Sequence, residues 1–183
     1  MHEIPSDPKY PQAYCRYLAT YYGLRDYFEC HDIMEEYWKE QPNARYTGCW
    51  LVFIRIAVAC YHARRGNWAG ARKMMAKAAE ETDAALMSEL GMDGEALSDL
   101  LSVTSHEWSQ ANAVFRDLPL PIADPVLEQE SRRICAANGW AWDTPLHQVA
   151  EAIVHRHLTR DRAPVVEARR QSAERKMQAR SRQ

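Results

Sequence analysis

A histidine and a carboxylate stand in the middle of an apolar stripe in the second predicted helix. His31 and Glu35 are four residues apart, so a helix turning about 100° per residue places them on one face. Their neighbours on that face are aromatic, namely Tyr27, Phe28 and Trp38. We therefore expect both polar side chains to be buried. A separate polar strip of the same helix carries Arg25, Glu29, Asp32, Glu36 and Lys39.

The third predicted helix carries a second polar pair. Arg55 and His62 share one stripe with Leu51 and Val58 on a helix that is otherwise apolar. An unpaired charge in a dry interior is costly, so Arg55 needs a carboxylate partner. Glu35 is the natural candidate. This pairing predicts that the second and third helices pack with the two stripes facing each other.

The four residues His31, Glu35, Arg55 and His62 form what we call the polar cluster, and three roles fit it. His31, Glu35 and His62 can hold a divalent transition metal in a metal-dependent enzyme, although HDIMEEYW is not the H-E-x-x-H pattern and Arg55 disfavours a cation. Arg55 can instead bind a small anionic ligand, with His31 or His62 as general acid or base. The third role is a structural hydrogen-bond network that fixes helix docking.

Two segments, YFECHDIMEEYWK and IAVACYHARRGNWAGA, resemble the signature of the family of domains of unknown function numbered 309, DUF309. That signature is a H-E-x-x-E-x-x-W helix, then an apolar helix ending in Tyr-His and an Arg-Gly-Asn turn. The resemblance covers about residues 25–101 and implies a small, mainly helical prokaryotic protein without implying an activity. The matching residues here are His31, Glu35, Trp38, Tyr61, His62, Gly66 and Asn67. Asp32 replaces the family's usual Glu, and Arg55 stands where a glutamine is usual, which weakens a shared metal role.

The surrounding elements are all predicted to be helical, because no segment shows strict alternation of apolar and polar residues. Gly66 can end the third helix in the left-handed conformation, and Asn67 can cap the fourth. DLPLPIADP is predicted to be an extended connector. The predicted helices cover residues 12–22, 24–40, 46–65, 68–90, 94–115, 126–137 and 145–158, and a basic helix follows Pro164. The fold class is a compact all-α multi-helix bundle.

Composition excludes several classes of protein. The chain has 183 residues, with 23 Lys plus Arg against 25 Asp plus Glu, and this near balance argues against a dedicated nucleic-acid or membrane-surface binder. Nine Tyr and six Trp argue against disorder. The apolar stretch 49–61 is interrupted by Arg55 and is shorter than the ~20 residues that span a bilayer.

The five cysteines are odd in number and include no C-x-x-C pair, so we expect neither disulfides nor a thiolate zinc site. The N-terminal segment lacks the basic start and apolar run of a signal peptide. Both observations favour a cytoplasmic protein. No cofactor is indicated beyond the metal considered for the polar cluster.

The charge is unevenly distributed along the chain. Residues 160–183 hold eight basic and three acidic residues, which predicts a basic helical tail after a single helical domain at residues 1–159. Binding of nucleic acid through this tail is a minor alternative. His147, His155 and His157 are expected in solvent. The second apolar face of the second helix and the exposed aromatic residues of the first helix would allow a homodimer. We expect a non-catalytic ligand-binding or protein-interaction domain organised around the polar cluster, and we assign no catalytic residue.

Overall fold

The structure, a computed structural model, describes residues 9–40 and 45–159 together with residues 167, 170 and 171. Within these residues the fold is all-α, which confirms the predicted class, and its single β feature is an isolated antiparallel bridge between Met92 and Ile122. The helices are α1 Gln12–Ala19, α2 Tyr27–Glu40, α3 Thr47–Arg64, α4 Trp68–Glu81, α5 Ala84–Glu89, α6 Gly94–Ser109, α7 Pro125–Ala137, α8 Glu151–Val154 and α9 Arg156–Thr159. The predicted basic tail lies outside the described residues, apart from Glu167, Arg170 and Gln171.

Helix α3 is the centre of the bundle, because its sequence is apolar on almost every side. It packs between α2 and α4, while α6 packs on α4 and α1 lies against α2 and α7. The half-buried stripe of α3 is the one that carries Leu51, Arg55, Val58 and His62. The polar residues of this helix therefore occupy the side that other helices leave partly open to solvent.

The tyrosines of α1 and the π-helical turn that follows it, Thr20–Leu24, are buried. The hydroxyl groups of Tyr21 and Tyr22 donate to the backbone carbonyls of Leu118 and Leu120, at 2.7 and 2.9 Å. These bonds hold the proline-rich connector against the core. The aromatic face of α1 is thus covered within the chain, and it does not supply the exposed dimer surface that the sequence allowed.

Arg25 does not lie in the polar strip of α2, as predicted, but in a left-handed turn before that helix, with φ 55°. Its side chain is 1% exposed. Nη1 and Nη2 donate to the two oxygens of Asp117 at 2.8 and 3.0 Å, Nη2 also donates to Asp143 at 2.8 Å, and Nε donates to the carbonyl of Thr144 at 2.8 Å. The reason is conformational, since α2 begins only at Tyr27 and the turn directs Arg25 inwards.

Several predicted helix boundaries are wrong, and each has a local cause. The fourth predicted helix, 68–90, is two helices, because Asp83 caps α5 by accepting a hydrogen bond from the amide of Leu86 at 3.0 Å. The fifth predicted helix ends at Ser109 rather than at 115, and Arg72 donates to the carbonyl of Gln110 there, at 3.0 Å. The predicted helix 145–158 is a 3₁₀ turn, Leu146–Gln148, followed by the short helices α8 and α9.

All five cysteines are free and buried. Burial raises the pKa of the Cys15 and Cys49 thiols to about 11 and that of Cys60 to about 12. These thiols are therefore protonated at neutral pH and unsuited to metal ligation or nucleophilic chemistry. In the described part of the chain, none of the helices has both the length and the hydropathy needed to cross a bilayer.

Candidate functional site

The groove between α2, the end of α3 and α9 brings three histidines together. Its volume is about 450 Å³, within the range of about 300–1,000 Å³ typical of small-molecule sites. We call it the histidine groove. Its described lining residues are Tyr27, Phe28, His31, Val58, Tyr61, His62, Arg65, Asn67 and His157. None of these carries a carboxylate, so the groove has a positively charged and hydrogen-bond-donating character.

His62 is held in one tautomer by the turn between α3 and α4. Asn67 caps α4, with Oδ1 accepting from the amide of Gly70 at 3.2 Å, so its Nδ2 is the atom that faces His62 Nδ1 at 3.0 Å. Since Nδ2 donates, Nδ1 accepts, and the proton of the neutral ring sits on Nε2. Burial, and then the charge of Arg65, lowers the pKa of His62. His62 is therefore a neutral hydrogen-bond donor at neutral pH.

The same turn explains two glycines of the second motif. Gly66 adopts a left-handed φ of 74°, which lets the chain reverse directly into α4. A side chain at position 70 would place its Cβ 2.8 Å from Cδ2 of His62. Glycine at position 70 is thus what allows the imidazole to lie against the first turn of α4.

His157 lies in the histidine groove rather than in solvent, which corrects the prediction. The hydroxyl oxygen of Tyr61 accepts from the backbone amide of His157 at 3.1 Å and is hydrogen-bonded to Nδ1 of the same residue. Arg156 holds this segment in place through the buried carboxylate of Asp26, at 2.6 Å. His155 is half-exposed, and its Nδ1 accepts a hydrogen bond from Nε of Arg65.

Arg65 supplies the permanent positive charge of the histidine groove. Its guanidinium carbon lies 5.1 Å from the centre of the Tyr61 ring, and Nε donates to Nδ1 of His155 at 3.2 Å. No carboxylate of the described chain forms an ion pair with it. The charge of Arg65 is therefore not neutralised by a neighbouring acidic side chain.

Arg55 and Glu35 do not pair with each other, so the predicted polar cluster is divided. Arg55 forms an ion pair with Glu81 of α4. Glu35 is paired with Lys39, one turn along α2, at 3.3 Å. The reason is that Glu35 stands at the edge of α2, where its side chain is 35% exposed and within reach of Lys39, whereas the Arg55 side chain extends towards α4. Only His31 and His62 of the cluster share the histidine groove.

The predicted metal ligands are only partly brought together. Among the described residues, the group with ligand atoms within 4.8 Å of one another is His31, Asp32 and Glu35, and His62 is not part of it. Nδ1 of His31 lies 2.9 Å from Oδ1 of Asp32, which places the proton of a neutral ring on Nδ1. The third candidate ligand is thus the residue next to His31, Asp32.

Trp38 lies outside the histidine groove. It is half-buried against the core, and its Nε1 is buried with no hydrogen-bond partner among the described residues. Of the predicted site residues, the groove contains His31, Tyr61, His62 and Asn67, while Gly66 forms the adjacent turn.

The sequence analysis missed five lining residues as site residues, and their signals differ. Phe28 and Val58 share helix faces with His31 and His62, so helical spacing could have identified them, and Tyr27 is also on the α2 stripe. Arg65 directly precedes the Gly-Asn turn. His157 comes from a segment almost a hundred residues away, and no local pattern points to it.

The comparisons with known proteins place the described site within a recognised family. The model of DUF309, a domain of unknown function, matches residues 16–74, a range that contains both predicted motifs. Over 173 residues the chain is 36% identical to "Uncharacterized protein YpuF" of Bacillus subtilis (strain 168), covering 93% of this chain and 99% of that protein. No solved structure matches the chain. With a relative this similar along almost its whole length and the family model matched across α2 and α3, the chain belongs to the DUF309 family.

Proposed function

We propose that the protein is a binding domain for a small anionic molecule, which it takes up in the histidine groove. One observation carries the proposal: Arg65 lies in a groove whose described lining residues include three imidazoles and no carboxylate. A half-buried guanidinium without an acidic neighbour attracts an anion more strongly than one already paired. Arg65 therefore takes the role that the sequence assigned to Arg55.

The apolar lining residues of the histidine groove indicate the chemistry of the rest of the ligand. Phe28, Val58 and the Tyr61 ring provide an apolar surface, and the rings of Phe28 and Tyr61 lie 5.5 Å apart in an edge-to-face arrangement. Two aromatic rings arranged in this way can pack against a flat apolar group of a ligand through stacked or edge-to-face contacts. The histidine groove therefore best suits an aromatic carboxylate or phosphate. The aromatic ring of such a ligand would lie against the apolar lining residues, and its anionic group would face Arg65.

A second groove serves as an internal comparison. It lies at the end of α6, has a volume of about 310 Å³, and is lined by Glu107 and Asp117 as well as Arg116. Its two carboxylates outnumber its one guanidinium, so it offers no comparable preference for an anion. This contrast favours the histidine groove as the ligand site.

Thermal unfolding in the presence of matched ligands tests the proposal. Benzoate and phenyl phosphate should raise the melting temperature, and neutral benzamide should not. At ten times Kd the stabilisation is about 1.4 kcal/mol, or about 3–5 °C for a domain of this size. Arg65→Gln should abolish the response. Lys73→Gln removes the same charge from the exposed side of α4 and should leave the response intact.

Equal responses to benzoate and benzamide would contradict the anionic preference. A benzoate response that survives in Arg65→Gln would contradict the assignment of the site. In both cases the histidine groove would lose its proposed role as an anion receptor.

Metal binding is the second candidate function, and the close approach of His31, Asp32 and Glu35 favours it. One imidazole and two carboxylates, two of them on adjacent residues and the third one turn further along the same helix, suit a divalent transition metal with open coordination positions. Equilibrium dialysis with Zn²⁺ or Mn²⁺ tests it. We expect the wild type and His106→Ala to bind about one equivalent of metal and His31→Ala to bind none. Equal amounts of metal bound by His106→Ala and His31→Ala would contradict the metal site.

A further inference from the structure

Arg64, the last residue of α3, has one unused edge. Its Nη1 donates to the backbone carbonyl of Arg25 at 2.7 Å. Its Nε and Nη2 atoms are buried and have no hydrogen-bond partner among the described residues. These two atoms form one side of the planar guanidinium, where two parallel N–H bonds match the two oxygens of a carboxylate or a phosphate.

Tyr27, whose ring packs against this guanidinium, adds a third polar group without a hydrogen-bond partner among the described residues. The Arg64 guanidinium carbon lies 4.5 Å from the centre of the Tyr27 ring, and Tyr27 is fully buried. The Tyr27 hydroxyl also lacks a hydrogen-bond partner in the described structure. Buried polar groups are almost always paired, and an unpaired charged donor is more costly than a neutral one. Three such atoms near one guanidinium are more consistent with a binding position than with a packing defect.

The nearby acidic side chain does not fill this position. Asp26 is fully buried, but its Oδ1 accepts from the amide of Glu29 at 3.0 Å and its Oδ2 accepts from Arg156 at 2.7 Å. Burial lowers the pKa of Arg64, and the charge of Asp26 opposes this effect only in part. The carboxylate of Asp26 is thus committed to capping α2 and anchoring α9.

We propose that the Nε/Nη2 edge of Arg64 and the Tyr27 hydroxyl bind a small oxyanion, either a carboxylate or a phosphate group. The anion is a free inorganic ion or the head group of a larger ligand, because Tyr27 also lines the histidine groove. The inference does not depend on Arg65, so it can stand if the proposed function fails.

The test measures melting temperature at constant ionic strength while phosphate or benzoate replaces chloride. Phosphate should raise the melting temperature of the wild type. Arg64→Lys keeps the charge but loses the two-donor edge, and should lose most of that shift. Tyr27→Phe removes a hydroxyl that makes no hydrogen bond, so it should fold with an unchanged melting temperature in chloride and respond less to phosphate. The control is Tyr17→Phe, since the Tyr17 hydroxyl donates to the carbonyl of Phe53 at 2.8 Å. It should lower the melting temperature without changing the phosphate shift.

The outcomes distinguish anion binding at Arg64 from anion binding at Arg65 in the histidine groove. A phosphate shift that survives in Arg65→Gln but not in Arg64→Lys supports the inference and identifies a free ion as the ligand. If benzoate but not phosphate raises the melting temperature of the wild type, and Arg64→Lys loses that increase, the anion at Arg64 is the head group of a larger ligand. Equal shifts in Arg64→Lys and the wild type would overturn the inference, as would a wild type that responds to neither anion.

Discussion

Replacing Asp117 by asparagine should be far more destabilising than the same change at Asp143, although both residues contact Arg25. Asp117 accepts two hydrogen bonds from a guanidinium that is 1% exposed, and its own side chain is 39% exposed. Asp143 accepts one bond and is 63% exposed. The Asp117 pair is therefore the one that compensates the buried charge.

The magnitude follows from what each variant leaves behind. Removing one partner of a buried pair costs about 3–5 kcal/mol, and we expect about 3 kcal/mol for Asp117→Asn because Asp143 remains in place. Loss of an exposed pair costs about 0.2–1 kcal/mol, which applies to Asp143→Asn. Asp143 has a φ of 62°, and asparagine tolerates that left-handed conformation as well as aspartate does. The comparison is thus free of a backbone penalty.

Urea unfolding measures the difference directly. Asp117→Asn should lower the free energy of unfolding by about 3 kcal/mol, or the melting temperature by about 6–12 °C, with the m-value unchanged. Equal losses for the two variants, or a loss below about 1 kcal/mol for Asp117→Asn, would refute the view that Arg25 depends on this carboxylate.

Three further predictions follow from the described contacts. Glu81→Gln should lower the free energy of unfolding by about 1 kcal/mol, because it removes the ion-pair partner of half-buried Arg55. Glu35→Gln removes only the exposed pair with Lys39 and should lower it by about 0.5 kcal/mol or less. Urea unfolding measures both values, and an equal loss in the two variants would contradict the assignment of Glu81 as the partner of Arg55. Because the pKa of His62 is lowered in the folded state, the unfolded chain takes up this proton first as the pH falls, so stability should decline below about pH 6.5. Melting curves should show that decline to be smaller in His62→Gln, and an identical decline would contradict the burial of the ring. The five thiols should resist a maleimide in native protein and react completely in urea, as mass spectrometry would show, whereas rapid native labelling would contradict their burial.

The helical class and the central pair of helices could be predicted because both depend on local patterns. Apolar periodicity placed His31 and His62 on facing helices, and turn chemistry located Gly66 and Asn67. The partner of Arg55 could not be predicted in the same way. A sequence pattern indicates that a buried charge needs a carboxylate. Whether Glu35 or Glu81 becomes the partner depends on how α2 and α4 are placed around α3, and in the structure Arg55 pairs with Glu81 of α4.

The remaining errors concern contacts that are distant in sequence. Arg25 meets Asp117 and Asp143 more than ninety residues away, and its inward direction is set by the left-handed turn before α2. His157 reaches the groove through α9, whose position depends on the ion pair between Arg156 and Asp26. Both cases require tertiary structure, since residue type and spacing carry no information about such partners.

Histidine side-chain NMR tests the central claim most directly, because the protein contains its own internal controls. In ¹H–¹⁵N spectra of the imidazoles, benzoate should shift the signals of His31, His62 and His157 together with one apparent Kd. The signals of His106 and His147, which are exposed and lie outside the histidine groove, should remain in place. Shifts confined to those two exposed residues, or no shift of the three groove imidazoles at saturating benzoate, would contradict anion binding in the histidine groove.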